Sequence, residues 1–329
     1  MNAPFGMAQA VPPTINHVVA SGNNRRVVEQ LKTALAAYWN ERAAGRECPF
    51  GSVLLVGPKG TGKTTLAKVL AAELATTRFV DVLGQILTPE DLRSILMEAT
   101  SDTLVFIDEG HLANAFCQHM LLRALEDRQL HVPVADREKR FVSVPLNNFT
   151  LVLATTDEYG LIGPLRDRMR LTLRLSFYSD EELELLTHQR AHMLGWKVEP
   201  EVCHSIAALA RNTPRAALRL LENCLRTSRA EAAEMITMAH FHRTLELEGL
   251  DGELGLDQTE RAYLTVLAEA GDGQAVRVNV LATRLGLPMK TLCDVTEDYL
   301  VRAGLVMRAP AGRELTDKGR AYIQRNYAI

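Results

Sequence analysis

The chain has 329 residues, 47% of them hydrophobic and 23% charged, with a formal net charge of −3. That length gives room for two or three domains with cores of their own, and the near balance of charge excludes a protein coated in basic surface for nonspecific nucleic-acid binding. No apolar stretch reaches the roughly 18 to 20 residues that span a bilayer, and the N-terminus has no basic region followed by an apolar one, so a cytoplasmic protein with no membrane association is expected.

Residues 1–14 are rich in Pro, Ala and Gly without periodicity and are expected to form a loose tail. Val27, Val28, Leu31, Leu35 and Trp39 then recur at helical spacing. After Gly51 comes Val53-Leu54-Leu55-Val56, a short apolar run that reads as a strand buried on both faces. It leads into Gly57-Pro58-Lys59-Gly60-Thr61-Gly62-Lys63-Thr64, a complete G-x-x-x-x-G-K-[ST] loop, and a helix is expected from about Lys63 to Leu74. In such a loop the glycines turn backbone N–H groups inward around phosphate oxygens, and the helix N-terminus adds partial positive charge. Lys63 would reach the β- and γ-phosphates and the Thr64 hydroxyl would ligate Mg²⁺. The candidate ATP-binding set is therefore Gly57 through Thr64 with Thr65 beside them.

A strand at Phe79–Leu83 and a helix at Pro89–Thr100 precede a second apolar strand, Leu104–Ile107. Asp108-Glu109 follows it directly. Carboxylates at the C-terminal edge of a parallel strand project into the crevice where nucleotides bind. Asp108 would hold the magnesium through its hydration shell and Glu109 would polarise the attacking water. A helix at Phe116–Asp127 is followed by residues 130–146, which alternate around a charged centre like a hairpin, with Val142 and Val144 on the returning arm. The third apolar strand, Leu151–Ala154, ends in Thr155-Thr156, whose hydroxyls could reach the γ-phosphate or its water. Arg166, Arg168 and Arg170 form a basic cluster further on, and one of them could serve as an arginine finger supplied to a neighbouring subunit.

Strands alternating with helices imply an α/β domain with a parallel sheet. From Ser179 the strand signal gives way to helical patterns. Thr213-Pro214-Arg215 opens one of these helices, with proline in the permitted first turn, and an arginine there could report on the γ-phosphate. His188 and His192 share a helix face but lack a third metal ligand. After a linker at about 249–255, three helices and a β-ribbon describe a winged helix, in which Arg308 and Arg313 flank the turn and would reach phosphates or a groove of DNA; the unit's nearly balanced charge leaves a protein-binding winged helix as the alternative. The domains expected are thus a tail (1–14), an α/β ATPase domain (15–178) with its hairpin (130–146), a helical lid (179–254) and a winged helix (255–329).

Phe149-Thr150-Leu151 through Ala154-Thr155-Thr156, Pro164-Leu165-Arg166-Asp167-Arg168, Leu173-Arg174-Leu175 with Phe177-Tyr178, Thr213-Pro214-Arg215, and Gly312-Arg313 after Arg308 and Pro310 form a further pattern. Together these stretches resemble the RuvB family, AAA+ motors of Holliday-junction branch migration. The resemblance implies Walker A residues at Lys63 and Thr64, Walker B residues at Asp108 and Glu109, and sensor 1 at Thr156 or Thr155. It further implies a trans-acting finger at Arg168, sensor 2 at Arg215, a hexameric ring around duplex or branched DNA, and a RuvA-like partner docked on Val142 and Val144. The alternative class is an ATP-controlled assembly or loader factor that moves no DNA. The chain departs from the family pattern at Thr14-Ile15-Asn16-His17, Gly110, Asp157-Glu158 and Ala311.

Overall fold

The computed structural model describes residues 14–46, 49–133, 141–271 and 273–326. The chain packs as two compact units: one runs to Gly195 and takes in Asn212–Leu218, and the other comprises Trp196–Arg211 and everything from Arg219 onward. No helix among the described residues is long and apolar enough to cross a membrane.

The first unit is built on five parallel strands. Helix α1 (Gly22–Ala43) leads to β1 (Ser52–Val56), α2 (Lys63–Glu73), β2 (Arg78–Leu83), α3 (Pro89–Glu98), β3 (Thr103–Asp108) and α4 (Ala115–Glu126). After a hairpin, β4 (Gln129–Pro133) and β5 (Phe141–Pro145), come β6 (Thr150–Thr155), α5 (Gly163–Asp167), β7 (Leu171–Arg174) and α6 (Asp180–Met193). The sheet order is β2-β3-β6-β1-β7, every pair parallel. Side chains alternate between faces, so both faces of the central strands are apolar. Val53, Leu55, Leu104, Phe106, Val152 and Ala154 pack with α1 and α2. Leu54, Val105, Ile107, Leu151 and Leu153 pack with α3, α4 and α5. Covered on both sides, the sheet offers chemistry only at its edges, and β1, β3 and β6 end side by side.

The second unit begins with β8 (Lys197–Val198) and α7 (Pro200–Leu209) and takes most of α8 (Pro214–Ala230), then β9 (Met235–Ile236) and α9 (Met238–Glu248). The expected winged helix follows: α10 (Gln258–Glu269), α11 (Val278–Leu285), α12 (Met289–Thr291), a π-helical turn Leu292–Thr296, α13 (Glu297–Arg302), β10 (Val306–Ala309), β11 (Gly312–Leu315) and α14 (Asp317–Asn326). Its strands pair antiparallel, with Arg308 opposite Arg313.

That pairing has a structural cause. Glu297 is wholly buried, and its carboxylate accepts from Arg308 Nε at 2.5 Å, Arg313 Nε at 2.9 Å and the Tyr263 hydroxyl at 3.0 Å. The wing is thereby clamped to α10 and α13. Burial pushes the Glu297 carboxyl up, but the hydrogen bonds from Arg313, Arg308 and Tyr263 outweigh it and hold the group below the ordinary 4.5. A carboxyl lowered on folding contributes stability above its unfolded value and loses it as pH falls through the folded value. Glu297→Gln should therefore destabilise the protein by about 2–4 kcal/mol at neutral pH, read by urea unfolding. The gap from wild type should shrink below about pH 4.5; a gap unchanged at acid pH would rule out the ion pairs as its source.

Candidate active site

The phosphate loop leaves β1 at Gly57. A Cβ at Gly57 would stand 2.7 Å from Leu175 O, a backbone atom that cannot give way, so only glycine lets β7 run this close. Gly60 and Gly62 take φ of 82° and 96°, the left-handed region, turning the loop into the start of α2. The Lys63 side chain is buried inside the loop and donates to Gly57 O at 2.8 Å and Pro58 O at 3.1 Å, while Thr61 Oγ1 donates to Pro58 O at 2.9 Å. Burial pulls the Lys63 ammonium below the usual lysine range, against the opposing pull of Glu109 and Asp108. Lys59 and Thr65 are exposed at the rim of the loop.

Asp108 ends β3 and meets the loop: Thr64 Oγ1 donates to its Oδ2 at 3.1 Å. Glu109 adopts a left-handed backbone, φ 48° and ψ 49°, which costs a non-glycine residue about 1–2 kcal/mol. Such strain persists where surrounding contacts enforce it. Here they do: Glu109 Oε2 accepts from Thr156 N at 3.2 Å and Thr156 Oγ1 at 2.9 Å. Gly84, at the exit of β2, has no room for a Cβ because Glu109 O would lie 2.6 Å away. The two threonines divide their roles. Thr156 touches Glu109, whereas the buried Thr155 bonds to His111 and to the backbone of Asp157.

Pro214 opens α8, and Arg215 N donates to Gly60 O at 3.3 Å. The Arg215 Cβ lies 3.2 Å from the place a Gly60 Cβ would occupy. Sequence positions 57–64, 108–109, 156 and 214–215 thus converge on one end of β1. Arg168 does not join them. Its backbone O accepts from Ser52 Oγ at 3.0 Å, at the opposite end of β1, and its Nε donates to Glu126 Oε1 at 2.6 Å. A five-residue strand separates the two ends by roughly 16 Å, beyond the reach of an arginine to its own loop.

The departures from the family pattern have local partners. Asp157 Oδ1 caps the following turn by accepting from Tyr159 N and Gly160 N at 3.0 and 3.1 Å. Arg174 Nη2 donates to both carboxylate oxygens of Glu158, at 2.6 and 2.8 Å. A Cβ at Gly110 would rest 3.7 Å from Leu153, ordinary contact, so the backbone does not demand glycine there. Of Thr14 to His17, the last three form a 3-10 turn whose Ile15 is buried.

On the hairpin, Val144 pairs with Leu130 and Val132 with Val142. Leu130 is in the core and Val132 packs against it, whereas Val142 is 52% exposed. The expected centre of the hairpin, 134–140, lies outside the described residues, as does the expected tail apart from Thr14. In the wing, Arg308 and Arg313 each donate Nε to Glu297, with side chains 52% and 17% exposed respectively. Sequence patterns did not disclose Glu297, Gly84, Glu126 or His111, since each acts through residues distant in the chain.

Comparison with known families matches residues 17–175 to the Holliday junction DNA helicase RuvB P-loop domain, 178–251 to the RuvB AAA lid domain and 253–324 to the RuvB C-terminal winged helix domain. The chain is 37% identical over 286 residues to the Holliday junction branch migration complex subunit RuvB of Parasynechococcus marenigrum, covering 86% of this chain and 82% of that protein. It is 34% identical to the same subunit of Fervidobacterium nodosum, covering 91% and 85%. The solved Thermotoga maritima RuvB Holliday junction branch migration motor superposes with a TM-score of 0.77 at 32% identity, covering 95% of this chain and 97% of that one. These likenesses extend over nearly the whole chain, which belongs to the RuvB family of AAA+ ATPases.

Proposed function

We propose that this protein is an ATP-driven motor that moves branched DNA, working as a ring of six subunits with a RuvA-like partner. The observation that supports this reading best is the separation of Arg168 from the phosphate loop of its own subunit. A finger at the far end of β1 is useful only to a neighbour's nucleotide, and closed rings satisfy that need for every subunit at once.

In this reading Gly57 through Thr65 cradle the triphosphate, and Lys63 exchanges its two backbone carbonyls for phosphate oxygens. Thr64 and Asp108 would hold Mg²⁺, Thr64 directly and Asp108 through its hydration shell. Their side-chain oxygens stand 3.1 Å apart, close enough to serve one hydrated ion. The ion, when bound, offsets negative charge on the phosphates. Glu109 takes a proton from the attacking water, Thr156 senses the γ-phosphate, Pro214 presets the helix turn that carries Arg215 to the phosphates, and Arg168 arrives from the adjacent subunit. Val142 and Val144 present the hairpin face to a RuvA-like partner. Arg308 and Arg313, each held to Glu297 through Nε, offer their Nη groups to DNA phosphates, Arg308 from the more exposed position.

The test is a labelled synthetic four-way junction mixed with the purified protein, ATP and a RuvA-type partner. Strand exchange that requires hydrolysable ATP, with turnover stimulated by the junction, is the expected result. A protein whose turnover ignores DNA and whose junctions stay intact would contradict the motor.

A further inference from the structure

Glu109 is held by more than Thr156. His111, in the 3-10 turn Gly110–Leu112 after β3, brings Nδ1 to 2.8 Å from the Thr155 hydroxyl and 3.4 Å from Glu109 Oε2. The Thr155 hydroxyl has one proton, and it donates to Asp157 O at 2.7 Å while accepting from Asp157 N at 3.0 Å. With that proton engaged, the Thr155 oxygen can only accept from the ring, so Nδ1 carries the hydrogen. The same nitrogen lies 3.4 Å from Glu109 Oε2, an electrostatic contact in which a carboxylate favours the ring's N–H on that side.

The packing leaves His111 little freedom. Thr155 is fully buried, and a Cβ at Gly160 would stand 2.9 Å from the His111 Cβ, so the next turn closes directly over the histidine. Oε2 of Glu109 accepts from Thr156 N and Thr156 Oγ1 and has His111 Nδ1 as a third polar neighbour at 3.4 Å. They converge on a residue with a left-handed backbone.

We propose that His111 is a positioning residue for ATP hydrolysis: with its tautomer set by Thr155, it anchors Oε2 of Glu109 so that Oε1 faces the attacking water. The proposal rests on the reading of Glu109 as the base. His111 touches neither nucleotide nor water and acts only by fixing the angle of the carboxylate. Loss of that anchor should slow the chemical step and spare nucleotide binding, because the phosphate loop makes no use of it.

Three variants separate positioning from general damage. Asparagine can place its amide N–H near the position of Nδ1, glutamine places its amide nearer the Nε2 position, and alanine has no donor. His111→Ala and His111→Gln should lower kcat by at least about tenfold with KM and nucleotide affinity within about twofold, and His111→Asn should recover to within about threefold of wild type. Should His111→Ala fail to fold, the Asn and Gln pair still decides the matter. Equal kcat for those two, or a kcat for His111→Ala within twofold of wild type, overturns the proposal. Glu109→Gln measured alongside distinguishes the causes: full activity there removes the base itself, whereas collapse there with an unaffected His111→Ala removes His111 alone.

Discussion

Glu109→Gln should lower ATP turnover by about three orders of magnitude while nucleotide affinity stays within about twofold. The amide keeps the size of the carboxylate and can still accept from Thr156 N and Oγ1, the bonds that hold Glu109 at 3.2 and 2.9 Å. What it loses is the ability to take a proton from water. Binding is spared because the loop contacts belong to other residues, Lys63 on Gly57 O and Pro58 O and Thr64 on Asp108. Steady-state turnover together with titration of a fluorescent nucleotide measures both quantities. Turnover within a few-fold of wild type would mean that another group activates the water.

The second large effect is expected at Arg168. Removing a finger that stabilises charge on the transferred phosphoryl group lowers kcat by about a thousandfold or more. In the present conformation the guanidinium is held by Glu126, with the Arg168 side chain 59% exposed. A pair so open to water is worth only about 0–1 kcal/mol, so Glu126 would not prevent Arg168 from swinging to a neighbour's nucleotide in the proposed role. Arg168→Lys should rescue little, since a point-like ammonium cannot reproduce a planar fork across two oxygens. Turnover measured at concentrations where rings form, with nucleotide affinity as the control, separates loss of the finger from loss of assembly.

Much of the fold was legible because its signals are local. Val53–Val56, Leu104–Ile107 and Leu151–Ala154 are apolar at every position, and such runs form only where helices cover both faces of a sheet; all three became central strands. The phosphate loop is contiguous, so spacing alone identified it, and the winged helix showed its turn at Pro310-Ala311-Gly312 between β10 and β11. The unreadable parts depend on partners far away in sequence. Glu297 looks like one more charge on a helix until folding brings Tyr263, Arg308 and Arg313 around it. Arg308 and Arg313 read alike in sequence, and only the fold leaves one side chain 52% and the other 17% exposed. Likewise Thr155 and Thr156 are neighbours of one kind, and only strand alternation, which points one inward to His111 and the other to Glu109, tells them apart. The end of β1 near Arg168 was equally hidden, because the strand order that carries Ser52 beside it is a tertiary fact.

The shared catalytic centre can be measured by mixing two inactive proteins. Arg168→Ala retains Glu109, and Glu109→Gln retains Arg168, so a boundary that joins the intact base of one to the intact finger of the other is whole. With random assembly at equal amounts, about a quarter of the boundaries are of that kind. Turnover should therefore rise from near zero in either protein alone to a substantial fraction of wild type in the mixture. A mixture as inactive as its components, under conditions where mixed rings are verified to form, would contradict a finger lent between subunits.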